Sequence, residues 1–353
     1  MTFPSAAVLA PPTTPYAPSA INRLYRAIDG LPGGGWWVYP LFFVAIVAYQ
    51  EMALWMTGSI PFGSLSLDGI PGPIYGPYGL AIMHIVIRTA GSAMDTFRPA
   101  SGLSDEAFAR RRYELVNLPP GRIGIILVVG AIVTIGSILS APPEGLAAYG
   151  RTREVAFLVL GPGAFLGYGI TVVSTYAVIR ILTLIHRLHL EATAIDPFDT
   201  GPIYAFSRVT SVVGLGYIFA AYYTFVFNGA FQAGNAFGLA TLGGIIALGI
   251  ACFVVPLWSI HGRLTQEKAV LTRGASLRAK VLQDDLYRRI DSGNVAGIKD
   301  VTDAAAGVHA AGERIARLPT WPWPPQVLRG FLSAILLPVV VYLITRVVGT
   351  QIR

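Results

Sequence analysis

The sequence predicts an all-α polytopic membrane protein with seven transmembrane helices, its N-terminus inside and spans four and six extended into a cytosolic helical layer. Three observations predict it. Apolar residues make up 54% of the 353 and charged residues only 13%, whereas ordinary globular chains carry about a quarter charged residues. Mean hydropathy is +0.59, and several runs reach the roughly 20 apolar residues that cross hydrocarbon. The cations cluster beside those runs, as they do where short loops face the cytoplasm.

Residues 1–34 read as a disordered or interfacial tail. The first 20 hold five prolines and no charge, without the basic start and continuous apolar stretch of a signal peptide. The transmembrane part follows at 35–260 with runs at 36–58, 123–141, 155–182, 209–228 and 237–258, and a last run lies at 327–348. A further run, 75–96, is interrupted by His84, Arg88 and Asp95.

Charge placement argues that 75–96 also crosses. Arg98, Arg110, Arg111, Arg112 and Arg122 lie in one connection, and ten more cations lie between Trp258 and Arg317. The opposite connections are nearly bare, with Arg151 and Arg153 as the dissenting pair. Placing both basic segments inside, with Arg23 and Arg26, requires seven crossings and puts the C-terminus outside.

The run at 155–182 has no breaker before Pro197, so its helix can project roughly 15 Å beyond Leu182. The run at 237–258 is expected to continue as one long helix to Ser292, with Gly293 as its stop. Its apolar stripe is Ile260, Leu264, Leu271, Leu282, Leu286 and Ile290, a spacing that keeps one face apolar. A second helix, 295–318, returns to the bilayer. Residues 261–318 are thus expected to form a packed cytosolic layer.

The stretch PTWPWPPQ then holds Pro319, Pro322, Pro324 and Pro325 around Trp321 and Trp323. Each proline lacks a donor and restricts its predecessor, so the elbow is stiff, and tryptophans favour the headgroup level. Residues 319–353 comprise this elbow and the last span. Pro338 falls inside that span, where it marks either a tolerated kink or part of a gate.

Charges inside hydrocarbon are candidates for function. Glu51 and His84 lie at similar distances from the outer ends of their spans, which predicts a Glu51–His84 contact with Arg88 one turn away. That cluster fits either a proton or ligand site or an interhelical tie. Tyr217, Tyr222, Tyr223, Asn228, Gln232 and Asn235 suit a small-molecule pocket or an aromatic belt. His186, His189 and Glu191, with Asp196 and Asp199 nearby, lack any zinc motif and read as a polar helix end rather than a metal site.

No phosphate loop, nucleophile elbow or CxxC is present, so no catalytic residue and no cofactor are expected. Lysines occur only at 268, 280 and 299, outside the spans, which excludes a retinal Schiff base within them. The single cysteine, Cys252, reads as a packing residue in a span. Gly163 with Gly167 and Gly234 with Gly238 match GxxxG and read as helix packing. The arginine bias, 23 against three lysines, suggests a prokaryotic genome. Expected partners are the bilayer, further copies of the chain, and a small molecule or ions, but not nucleic acid.

This arrangement of seven spans, prolonged inner ends and a last helix entered from its own cytosolic helix resembles the seven-transmembrane ion channel superfamily of insect odorant and gustatory receptors. The resemblance implies four subunits, an anchor at about 180–206 and 260–318, and 327–348 as the pore helix. A hydrophobic gate near Leu336, Pro338, Val339, Val340 and Leu343 would then close by dewetting. The family's C-terminal Thr-Tyr signature is not matched, since Val341 precedes Tyr342 and the spacing to Gln351 differs.

Overall fold

The computed structural model describes residues 14–70, 72–140, 153–227, 236–294 and 296–336. All regular structure among them is helical. In chain order the helices are α1 (Ala20–Asp29), α2 (Val38–Met56), α3 (Tyr75–Ser101), α4 (Asp105–Val116), α5 (Pro120–Ser140), α6 (Arg153–Glu191), α7 (Thr200–Tyr204), α8 (Ser207–Phe227), α9 (Ala236–Val254), α10 (Trp258–Asp291) and α11 (Ile298–Ala316). The described part of the last helix, α12, covers 325–336.

Five helical stretches are long and apolar enough to cross a membrane: Val38–Met56, Asp105–Ser140, Glu154–Glu191, Thr200–Phe227 and Ala240–Asp291. They contain α2, α5, α6, α8 and α9, the runs with the fewest interrupting charges. Helix α3 is not among them, because its 27 residues include Arg88, Asp95 and Arg98. It is nevertheless the hub of the bundle, packing against α2, α4, α6, α7 and α8. Met83, Val86, Ala90, Met94 and Phe97 place its buried face in the main core.

Two close approaches build the bundle. A Cβ on Gly130 of α5 would lie 2.7 Å from Gly169 Cα of α6, and one on Gly214 of α8 would lie 2.8 Å from Gly249 O of α9. Without side chains at these positions the backbones touch, which supplies dispersion contact where lipid offers no hydrophobic drive. The GxxxG pairs themselves do not form these crossings. A Cβ on Gly163 would meet only Ile46 at 3.5 Å, and one on Gly167 would meet nothing within 4 Å. The pair Gly234 and Gly238 has its side-chain surroundings outside the described residues.

Residues 14–34, expected in a tail, are packed. Ser19 caps α1 by accepting from the Asn22 amide, and Asn22, Tyr25 and Ile28 turn inward. Their spacing of three residues is a helical face, carried on a segment too short for the apolar-run signal. Asn22 Nδ2 donates to Val116 O, Asn22 Oδ1 accepts from the Leu118 amide, and Arg180 donates to the Tyr16 hydroxyl.

Helix α6 runs unbroken to Glu191, as its sequence predicts. The long helix through 237–292 does not form as one piece. Pro256 sits in a single 3-10 turn, Val255–Leu257, that separates α9 from α10; it removes a backbone donor just where the apolar run of α9 ends. Ser292 and the positive-φ Gly293 do end α10.

At one end of the bundle α10 and α11 form an antiparallel hairpin. Ile260 and Leu264 are fully buried, Leu271, Leu282 and Leu286 are partly buried, and Ile290 is exposed. Lys268 Nζ donates to the carbonyls of Ala316 and Leu318 at 2.7 and 2.9 Å. Arg263 Nη1 donates to His189 O and Ala192 O at 2.8 and 2.7 Å. Both cations thereby satisfy the orphan carbonyls of helix C-termini and join α10 to α6 and α11. Arg112 with Asp95 and Arg111 with Glu191 extend the same polar end. Gly102 closes α3 with φ 65°, a left-handed conformation natural to glycine.

Candidate functional site

Three places bring chemistry-bearing residues together. The first surrounds His84, whose ring is buried between Tyr25, stacked at 4.5 Å, and Trp36, stacked at 5.2 Å. The Tyr39 hydroxyl lies 2.6 Å from Nδ1, and Asp29 Oδ1 lies 3.2 Å from Nε2. A carboxylate only accepts, so the tautomer with its proton on Nε2 suits Asp29 and leaves Nδ1 to accept from Tyr39. Arg88 Nη1 meets the same Asp29 oxygen at 3.0 Å. Burial pushes the Tyr25 phenol far above its usual range, so the ring stacked on His84 stays neutral. A cavity of about 410 Å³ opens beside Asp29, His84 and Arg88.

Glu51 is not part of this group. It is buried twelve residues further along α2, where Oε2 accepts from the Ser66 amide at 3.0 Å and Oε1 has no partner among the described residues. Gln50 donates to Gly69 O and Trp55 to Ser64 O. These three bonds hold residues 58–70 folded back along α2. Helix α3 therefore starts below the end of α2, which shifts the register and sets Tyr39, rather than Glu51, opposite His84. Sequence distances from the helix ends assumed level ends, hence the wrong partner. Asp29 was missed because it lies on α1, outside any apolar run.

The second place is the elbow. Trp321 stacks on His261 with centroids 3.8 Å apart, and on Trp323 at 5.2 Å. Trp323 stacks on Phe253 at 5.0 Å, and Phe253 on Phe331 at 3.9 Å. The series passes from α10 through the elbow and the end of α9 to α12. His261 Nδ1 donates to Thr320 O at 2.8 Å, and Trp258 meets Trp321 edge-on at 5.9 Å. Trp323 is buried and its indole N–H has no acceptor among the described residues. Pro322 is buried, Pro319 and Pro324 are half-buried, and Pro325 opens α12, where a missing N–H costs nothing.

Only part of the expected gate is described. Leu336 is exposed on α12 with Leu328 and Leu332, while Phe331 turns inward against Gly214. Pro338, Val339, Val340 and Leu343 lie outside the described residues.

The third place is a cavity of about 270 Å³ between α3, α6, α8 and α9, lined by Tyr75, Tyr78, Ser174, Thr175, Tyr217 and Thr224 among others. No charged residue lines it. Of the aromatics expected in a pocket, only Tyr217 reaches it. Tyr222 donates to Ile335 O of α12 at 2.8 Å, and Tyr223 packs edge-on against Tyr75. The three residues point in different directions on α8, as helical spacing of five and one residues requires. Asn228, Gln232 and Asn235 lie outside the described residues.

The IHRLHLE segment separates similarly. His189 is buried among Phe97 and Phe206, and Glu191 is bound by Arg111 through two bonds of 2.9 and 3.0 Å. Among the described residues no three His, Cys, Asp or Glu converge as metal ligands. No family model, curated protein or solved structure matches the chain.

Proposed function

We propose that the chain is an oligomeric channel of the cell (inner) membrane, with 327–348 as the pore helix and the cytosolic hairpin as the assembly anchor. The reading includes seven crossings, N-terminus inside, with α3 and α12 joining the five apolar stretches. The paired arginines of α4 gather at the same end of the bundle as α10 and α11, which supports calling that end cytosolic. Four subunits is the number that the chemoreceptor resemblance implies.

One observation carries the proposal: the aromatic series from His261 through Trp321, Trp323 and Phe253 to Phe331. It transmits displacement of the base to α12 through stacked rings rather than through a slack loop. Helix α12 offers one packed face and one exposed apolar face, Leu328, Leu332 and Leu336, and the exposed face is the one available to a central axis. The uncharged, largely apolar cavity around Tyr78 and Tyr217 supports gating by a small neutral molecule.

Single-channel recording of the purified chain in planar bilayers tests the proposal. Discrete openings are expected, altered in frequency by Trp321→Ala. Silence under neutral small molecules, voltage and membrane tension would remove the channel reading.

A second reading, a membrane-embedded scaffold for a cytosolic protein, draws on Val270, Leu277 and Val281, which are 59, 61 and 67% exposed on α10. Their spacing of seven and four forms one stripe. Capture of a defined partner by full-length monomer, lost with Leu277→Asp, would favour it. A proton-coupled transporter using Glu51 and His84 is disfavoured, because His84 meets Tyr39 and Glu51 meets the Ser66 amide.

A further inference from the structure

An open cleft of about 600 Å³ lies between the polar half of α3 and the elbow. Arg88, Thr89 and Ser92 form one wall, Tyr204 and Arg208 another, and Pro324 a third. Two arginines line it and no acidic residue does. Arg88 lines the cleft while its Nη1 shares Asp29 with His84 and its guanidinium lies 5.9 Å from the centre of the Trp36 ring. Arg208 has no hydrogen-bond or ion-pair partner among the described residues, and neither do the hydroxyls of Thr89, Ser92 and Tyr204.

We infer that this cleft binds a phosphate anion, with Arg208 and Arg88 as its cationic contacts and the free hydroxyls as further donors. Guanidinium forks match the oxygen geometry of phosphate better than any other side chain. The position suits the chemistry, because in the proposed topology the elbow lies at the headgroup level and the cytoplasmic leaflet presents phosphate with net negative charge. An anionic phospholipid headgroup and free phosphate share this chemistry. Pro324 and Val327 line the cleft, so the anion would sit between α3 and the first turn of α12 and regulate how closely they approach. The site stands whether or not α12 lines a pore.

The test uses the full-length chain in neutral detergent, titrated with phosphatidylglycerol or phosphatidylcholine and read by native mass spectrometry. Thermal unfolding with inorganic phosphate, against chloride of equal ionic strength, forms a second arm. Phosphatidylglycerol is expected to bind about tenfold more tightly than phosphatidylcholine, a preference that falls below threefold in Arg208→Gln and survives in Arg208→Lys. That pattern assigns a lipid headgroup. A saturable rise in unfolding temperature with inorganic phosphate, absent in Arg208→Gln, assigns the free anion. Arg208 is exposed, so its variants keep the fold. Equal lipid preference in wild type and Arg208→Gln, with no Arg208-dependent effect of phosphate, overturns the inference.

Discussion

The Trp321 indole lies nearly flat on the His261 imidazole, with planes 12° from parallel, while the same imidazole donates to the carbonyl of Thr320. The first turn of α10 therefore holds the elbow by a ring face and a hydrogen bond at once. Each aromatic pair contributes about 0.5–1.5 kcal/mol beyond its buried area. Trp321→Ala should lower stability by roughly 1–3 kcal/mol, since the side chain also touches Trp323 and Trp258. His261→Phe keeps the stack and loses the bond, so it should cost about 1 kcal/mol. Thermal denaturation in detergent ranks the two, and a Trp321→Ala protein as stable as wild type would contradict the stacked elbow.

Asp29 meets Arg88 and the His84 ring through one oxygen. Both it and Arg88 are more than a third exposed, so solvent screens the pair and its coupling should be only about 0.5–1 kcal/mol. A double-mutant cycle of Asp29→Asn and Arg88→Gln measures it. Glu51→Gln should be additive with either, because its partner is the Ser66 amide. Coupling between Glu51 and His84 substitutions above about 0.5 kcal/mol would contradict the register described.

Gly214→Ala should be among the most damaging small substitutions. Its methyl would stand 2.6 Å from Phe331 and 2.8 Å from Gly249 O, forcing α8 and α9 apart and pushing α12 outward. Overpacking of this kind costs about 1–3 kcal/mol. Gly163→Ala, whose new methyl meets Ile46 at 3.5 Å, should cost little, and unfolding midpoints of the two variants give the comparison.

Leu277→Asp should leave the single-chain fold intact, since the side chain is 61% exposed, yet reduce the proposed oligomer to smaller species. Light scattering during gel filtration reads this directly. An unchanged mass would place the assembly contact elsewhere and weaken the anchor reading.

Apolar runs and arginine placement made the five apolar stretches and the polar end legible, because both signals are local and repeat along the chain. The straight course of α6 was legible for the same reason, through its lack of a breaker. What escaped depended on register. The fold-back of 58–70 rests on three side-chain bonds from α2, and no periodicity announces it, so Glu51 was placed opposite the wrong residue. Pro256 was a visible breaker, overshadowed by the apolar stripe that resumes at Ile260. Helix contacts at Gly130 with Gly169 and Gly214 with Gly249 join different helices, whereas a GxxxG search looks within one.

Cys252 is the chain's single thiol and is buried on α9. The molecule therefore comes with a nearly silent chemical background for labelling. A thiol placed at Leu336 or Leu277 would be the one that water-soluble reagents find first. Bridging between copies at those sites would report subunit neighbours without any prior removal of native sulfur.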